Sequence, residues 1–152
     1  KLGAGGSIIK TVRGVGYKAR KIAAAIRDGI LAARPEADVE TFDIIDYDMG
    51  EMAERLNSSD AFALGSPTIN GEAVPPAWML LSHVDAINNK KKPVLVFGSY
   101  GWSGEAVPNL QTRLTGLKMK VFGDGLKVCF VPSGADLEKA KALGTEFGAS
   151  LA

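Results

Sequence analysis

Ala61-Phe62-Ala63-Leu64-Gly65-Ser66-Pro67-Thr68-Ile69-Asn70 and Val94-Leu95-Val96-Phe97-Gly98-Ser99-Tyr100-Gly101-Trp102-Ser103-Gly104 share one form. Each opens as an uncharged apolar run, 61–65 and 94–98, the pattern of a strand covered on both faces. Small and hydroxyl-bearing residues then take over, joined in the second stretch by two aromatics. A segment that reads as a helix follows each. Such residues at two neighbouring strand ends suit a flat ligand with a polar edge, bound at the carboxyl edge of a parallel sheet.

The flanking sequence repeats the alternation of strand and helix. Residues 7–12 read as a strand, with Ile8, Ile9 and Val12 apolar, and 13–17 as a glycine-punctuated loop. In 18–33, Ile22, Ala25, Ile26, Gly29 and Ile30 fall on one helical face, and Arg34-Pro35 ends the helix. A strand is expected over 37–45, a short helix over 49–56 and a proline-started helix over 75–87, followed by a polar turn at 88–92. A helix over 105–114 comes next. Residues 118–131 are strand-like but broken by Gly123-Asp124-Gly125. A last helix spans 136–151, capped by Ser133 or Asp136. Five strands alternating with five helices predict an α/β three-layer sandwich: a five-stranded parallel sheet of order 2-1-3-4-5 with helices on both faces. The ligand site then lies where the ends of strands 1, 3 and 4 converge.

Bulk composition narrows the function. With 152 residues, 46% hydrophobic, one domain over 7–152 is expected, after a glycine-rich leader or linker at 1–6. An opening Lys1 in place of Met suggests an excised domain or the tail of a longer chain. The net charge of +1 points to no polyanionic partner, so no nucleic acid is expected. No apolar run reaches the length of a membrane span, and no secretory leader is visible. The single Cys129 cannot form an internal disulfide, which fits a cytoplasmic setting, and its apolar neighbours suggest a buried core thiol.

The motifs Gly65-Ser66-Pro67-Thr68-Ile69-Asn70, Pro75-Pro76, Phe97-Gly98-Ser99-Tyr100-Gly101-Trp102-Ser103-Gly104-Glu105-Ala106-Val107 and Val131-Pro132-Ser133 resemble the flavodoxin-like domain of flavodiiron proteins. The resemblance covers roughly residues 18–151. It implies an FMN cofactor and electron transfer, with electrons received from a donor such as rubredoxin or a reductase module. They would pass to a diiron centre in a separate domain of the parent chain that reduces oxygen or nitric oxide, the whole working as a homodimer. One imidazole, His83, cannot furnish a His-rich diiron site, so this chain is expected to be the electron-transfer part and not a complete enzyme. No metal ligand and no catalytic acid, base or nucleophile is assigned.

The resemblance implies cofactor contacts from Ser66, Pro67, Thr68, Ile69, Asn70, Ser99, Tyr100, Gly101, Trp102, Ser103 and Gly104, with Tyr100 and Trp102 as flat surfaces beside the flavin. From the first loop it implies Gly14, Val15, Gly16, Tyr17, Lys18 and Ala19 around the phosphate. That loop departs from the family's hydroxyl-rich pattern, with Gly14 and Ala19 where hydroxyls are expected. Backbone N–H groups of Gly14, Val15 and Gly16 would cradle the phosphate, with Lys18 or Arg13 supplying charge. Two alternatives remain: a domain that has lost FMN and serves as an interaction module, and a free-standing electron carrier. Residues 9–17 are also similar to the wing hairpin of winged-helix response regulators, but no recognition helix precedes them. Trp78 and His83 read as structural. The acids Asp43, Asp46, Asp48, Glu51 and Glu54 read as a solvated face, and Lys90-Lys91-Lys92 as a solvated turn.

Overall fold

A computed structural model describes residues 8–13 and 16–151. The expected leader at 1–6, Gly14 and Val15 lie outside the described residues, as does the side chain of Arg13. In chain order the elements are β1 (Ile8–Arg13), α1 (Tyr17–Ala33), β2 (Asp38–Asp43), a 3-10 turn (Ile44–Asp46), α2 (Met49–Asn57), β3 (Ala61–Ile69), β4 (Glu72–Ala73), α3 (Pro75–His83), β5 (Pro93–Tyr100), α4 (Ala106–Gly116), β6 (Lys120–Val121), β7 (Leu126–Cys129) and α5 (Gly134–Ser150).

The sheet runs β2-β1-β3-β5, with β6 and β7 both parallel to the far edge of β5. Taken as two halves of one strand broken at Gly123-Asp124-Gly125, these complete the expected 2-1-3-4-5 order. β1 lies parallel between β2 and β3, so residues 8–13 are a sheet strand and no arm of a wing hairpin.

Alternation along the two central strands builds two cores. Phe62, Leu64, Val94 and Val96 pack with Met52, Leu56, Leu80, Leu110 and Leu114 from α2, α3 and α4. Ala61, Ala63, Leu95 and Phe97 face the other way, toward Ile22, Ile26 and Ile30 of α1 and Phe147 of α5. On that side α1 and α5 cross closely through reciprocal glycines. A methyl group built on Gly144 would lie 2.2 Å from the Ile26 carbonyl oxygen, and one on Gly29 would lie 1.9 Å from that of Lys141.

Several details differ from expectation, each for a local reason. β3 runs on to Ile69, because Asn70-Gly71 closes a tight antiparallel return onto β4. Both turn residues have positive φ, 53° and 74°, as a type I′ hairpin turn demands. α3 stops at His83, short of residue 87: the Asp85 carboxylate accepts the N–H of Ile87 at 2.8 Å and folds the chain into a turn. As one of the two expected caps, Ser133 does cap α5, in a reciprocal capping box with Asp136. Cys129 is exposed, contrary to its apolar neighbours in sequence. In β7 Val128 and, in part, Leu126 turn into the core, and Lys127 and Cys129 point to the open face.

Asp43 is buried and paired to Arg20 at 3.5 Å, unlike the solvated acids near it; Asp48 caps α2 through the N–H of Gly50. Trp78 is half-buried against the α2–α3–α4 core, and His83 Nδ1 sits 2.8 Å from the Met79 carbonyl oxygen. Lys92 leaves the expected solvated turn. Its Nζ donates to the carbonyls of Leu56 (2.6 Å) and Asn57 (3.0 Å) at the end of α2, and burial pulls its pKa down to about 8.

Gly144→Ala is expected to cost about 1–3 kcal/mol in urea denaturation, because the added methyl meets backbone that cannot yield. The unfolded chain keeps the Lys92 proton to higher pH than the folded one. Stability should therefore rise as pH climbs from about 8 toward the ordinary lysine range. Comparing urea midpoints at both ends of that window in wild type and Lys92→Met checks this; the variant should lose the rise.

Candidate functional site

The register of β3 on β5 brings the two loops together. Ser66 lies opposite Gly98, and Pro67 opposite Ser99. At this strand edge a cleft of about 380 Å³ opens, lined by Gly16, Tyr17, Lys18, Pro67, Thr68, Ser99, Tyr100, Gly101 and Val131. Its volume is that of a small-molecule site.

One end is the start of α1. Gly16 is its N-cap and has no side chain to offer the first-turn N–H groups. The contrast with α2 and α5, capped by Asp48 and Ser133, is marked. An open helix N-terminus with Lys18 beside it is a seat for an anion such as a phosphate. The cleft is flanked on one side by Pro67 and Thr68 and on the other by Ser99, Tyr100 and Gly101. A flat, hydrogen-bonding body with an anionic tail fits this arrangement, so the residues present suit a flavin mononucleotide.

Several expected residues stand elsewhere. Ser66 is fully buried behind the cleft, where its hydroxyl donates to the Pro67 carbonyl (2.8 Å) and accepts the Val74 N–H (3.0 Å). It thus ties β3 to the start of α3. Ala19 faces the core. Ile69 and Asn70 line a neighbouring groove with Trp78 and Met79. Trp102 is 93% exposed and Ser103 is exposed, both outside the lining. Gly104 has φ 76° and lies under Tyr100: a methyl group on it would come within 3.1 Å of that ring. Tyr100 and Tyr17 are therefore the aromatic side chains that line this cleft, and Trp102 stands outside its lining.

Sequence reasoning missed Val131 as a lining residue. Its motif, Val131-Pro132-Ser133, was visible, but only the end of β7 beside β5 shows that it reaches the cleft. It also missed the second task of Thr68, whose hydroxyl accepts the buried Ala106 N–H at 3.2 Å and so fixes the start of α4. Just before that helix, Ser103, the backbone N–H of Glu105 and more weakly Lys127 hold the Glu105 carboxyl below the usual carboxylate range.

A family model described as flavodoxin matches residues 16–144. The chain is 47% identical over 130 residues to the flavo-diiron protein FprA2 of Clostridium acetobutylicum, covering 86% of this chain and 32% of that one. Among solved structures, the flavodiiron core of Flv1 from Synechocystis sp. PCC6803 superposes with a TM-score of 0.83 at 27% identity, over 97% of this chain and 36% of that one. The flavodoxin of Megasphaera elsdenii superposes with a TM-score of 0.76 at 27% identity, over 93% and 99% of the two chains. The chain spans about a third of the length of the flavo-diiron relative.

Thr68→Val should leave the Ala106 N–H without its acceptor and cost about 1–3 kcal/mol, with Thr68→Ser close to wild type. Chemical denaturation of the three proteins, without added ligand, checks this.

Proposed function

The chain belongs to the flavodoxin family, whose cofactor is FMN, and on that premise we propose that it binds FMN in the cleft between β3 and β5 and transfers electrons. The single observation that carries the reading is the convergence of the open N-terminus of α1 and the two strand-end loops on one cleft. In this reading the N–H groups at Gly16–Lys18 and the Lys18 ammonium hold the phosphate. The hydroxyls of Thr68 and Ser99 and the backbone beside them meet the polar edges, and Tyr100 lies against the ring system. Bound FMN supplies the redox chemistry, and the protein supplies position, electrostatics and exclusion of water. No side chain need act as acid, base or nucleophile.

We further propose that the chain is the electron-transfer portion of a flavodiiron-type oxidoreductase, with a diiron centre on a separate domain that reduces oxygen or nitric oxide. The 47% identity to a flavo-diiron protein about three times as long supports this. Electrons would arrive from a rubredoxin-like or reductase partner, within a homodimeric assembly in the cytoplasm. Among the described residues no helix is long and apolar enough to cross a membrane. Tyr17, Ile69, Trp102, Phe130 and Val131 are exposed apolar side chains at the ends of the strands and the start of α1, which supports a partner surface around the cleft.

Titrating the purified chain with FMN should quench flavin fluorescence with one-to-one stoichiometry. Tyr100→Ala should weaken binding by about three- to tenfold, the worth of one aromatic contact, and Trp102→Ala should weaken it less. Absence of quenching in the wild type would leave an interaction module without flavin.

A further inference from the structure

Four described residues other than glycine have positive φ: Asn70, Lys91, Lys118 and Phe130. Turn geometry accounts for the first three. Asn70 is in the hairpin turn, Lys91 is in the turn before β5, and Lys118 follows the last turn of α4. Phe130, with φ 55°, sits at the end of a strand, where a bulky aromatic is the least suited side chain for this conformation. Burial does not repay the strain, because Phe130 is 61% exposed. A glycine could turn the chain here at lower steric cost.

The surroundings show what the ring gains. The Phe130 N–H donates to the Tyr100 carbonyl at 2.7 Å, one step beyond the Tyr100–Cys129 pairing of β5 and β7. Its ring edge lies 3.5 Å from the point where a Cβ on Gly101 would stand. Phe130 itself stands at the rim, just outside the lining, and the next residue, Val131, lines the cleft together with Tyr100 and Gly101. Pro132 is then buried and Ser133 caps α5, so the chain is pinned on both sides of the kink. Strain held by rigid surroundings at the rim of a ligand site is the mark of a functional constraint.

We propose that the Phe130 ring is a further wall of the flavin site, standing beside Gly101 and Val131 against the bound ring system, and that the left-handed backbone at 130 holds it there. This rests on the FMN reading above. The ring shields the flavin from water on that side, and water favours the charged reduced form, so its loss should make the flavin easier to reduce.

The test compares wild type, Phe130→Gly and Phe130→Tyr by FMN fluorescence quenching, melting of the FMN-free protein, and the midpoint potential of bound FMN. Phe130→Gly should bind FMN about three- to tenfold more weakly and shift the potential to a less negative value. Without FMN it should melt at or up to about 4 °C above wild type, because the strain is relieved. Phe130→Tyr, which restores a ring, should recover most of the affinity lost in the glycine variant. Unchanged affinity and potential in Phe130→Gly would overturn the proposal while leaving FMN binding intact. Melting several degrees below wild type would assign the ring to the fold and overturn it equally. A wild type that does not bind FMN would overturn the FMN reading itself, and this proposal with it.

Discussion

Pro67 stands opposite Ser99 across the pairing of β3 with β5, and that register governs the rest of the molecule. Side chains alternate faces along a strand, so a slip of one residue would turn Phe62 and Leu64 out of one core and Ala61 and Ala63 out of the other. It would also part the two loops. In the observed register both strands leave the sheet at the same level, and their small and hydroxyl residues face one cleft. The same register places Thr68 where it accepts the Ala106 N–H, so the loop after β3 also sets the helix after β5.

The two faces of the sheet are packed by different means. Large side chains from three helices interdigitate over Phe62, Leu64, Val94 and Val96. Opposite, β3 offers only Ala61 and Ala63, and α1 and α5 come together through Gly29 and Gly144. Close approach of this pair anchors α1, whose first turn forms one end of the cleft. The uncapped start of α1 thus depends for its position on Gly29, far along the same helix, and on Gly144 of α5.

Polar groups at the cleft divide between holding the protein and facing a ligand. Ser66 and Thr68 are two residues apart, yet the Ser66 hydroxyl is spent on Pro67 and Val74 deep in the fold, whereas Thr68 caps α4 and also lines the cleft. The aromatics divide likewise. Tyr100 is half-buried over Gly104, and Trp102 projects into solvent.

Much was legible in the chain itself. Uninterrupted apolar runs at 61–65 and 94–98, the helical face of Ile22, Ile26 and Ile30, and the strict alternation of strand and helix determine a parallel three-layer sheet, because burial on both faces leaves few other solutions. Ser133 as a cap and the break at Gly123-Asp124-Gly125 were also readable, being local chemistry. Tertiary structure decided the rest. Cys129 is exposed because one face of β7 is left open, Lys92 is drawn inward by the carbonyls at the end of α2, and Val131 reaches the cleft because β7 ends beside β5. Each depends on a neighbour distant in sequence. Local pattern can say what a residue prefers, but only the packed chain decides what it touches.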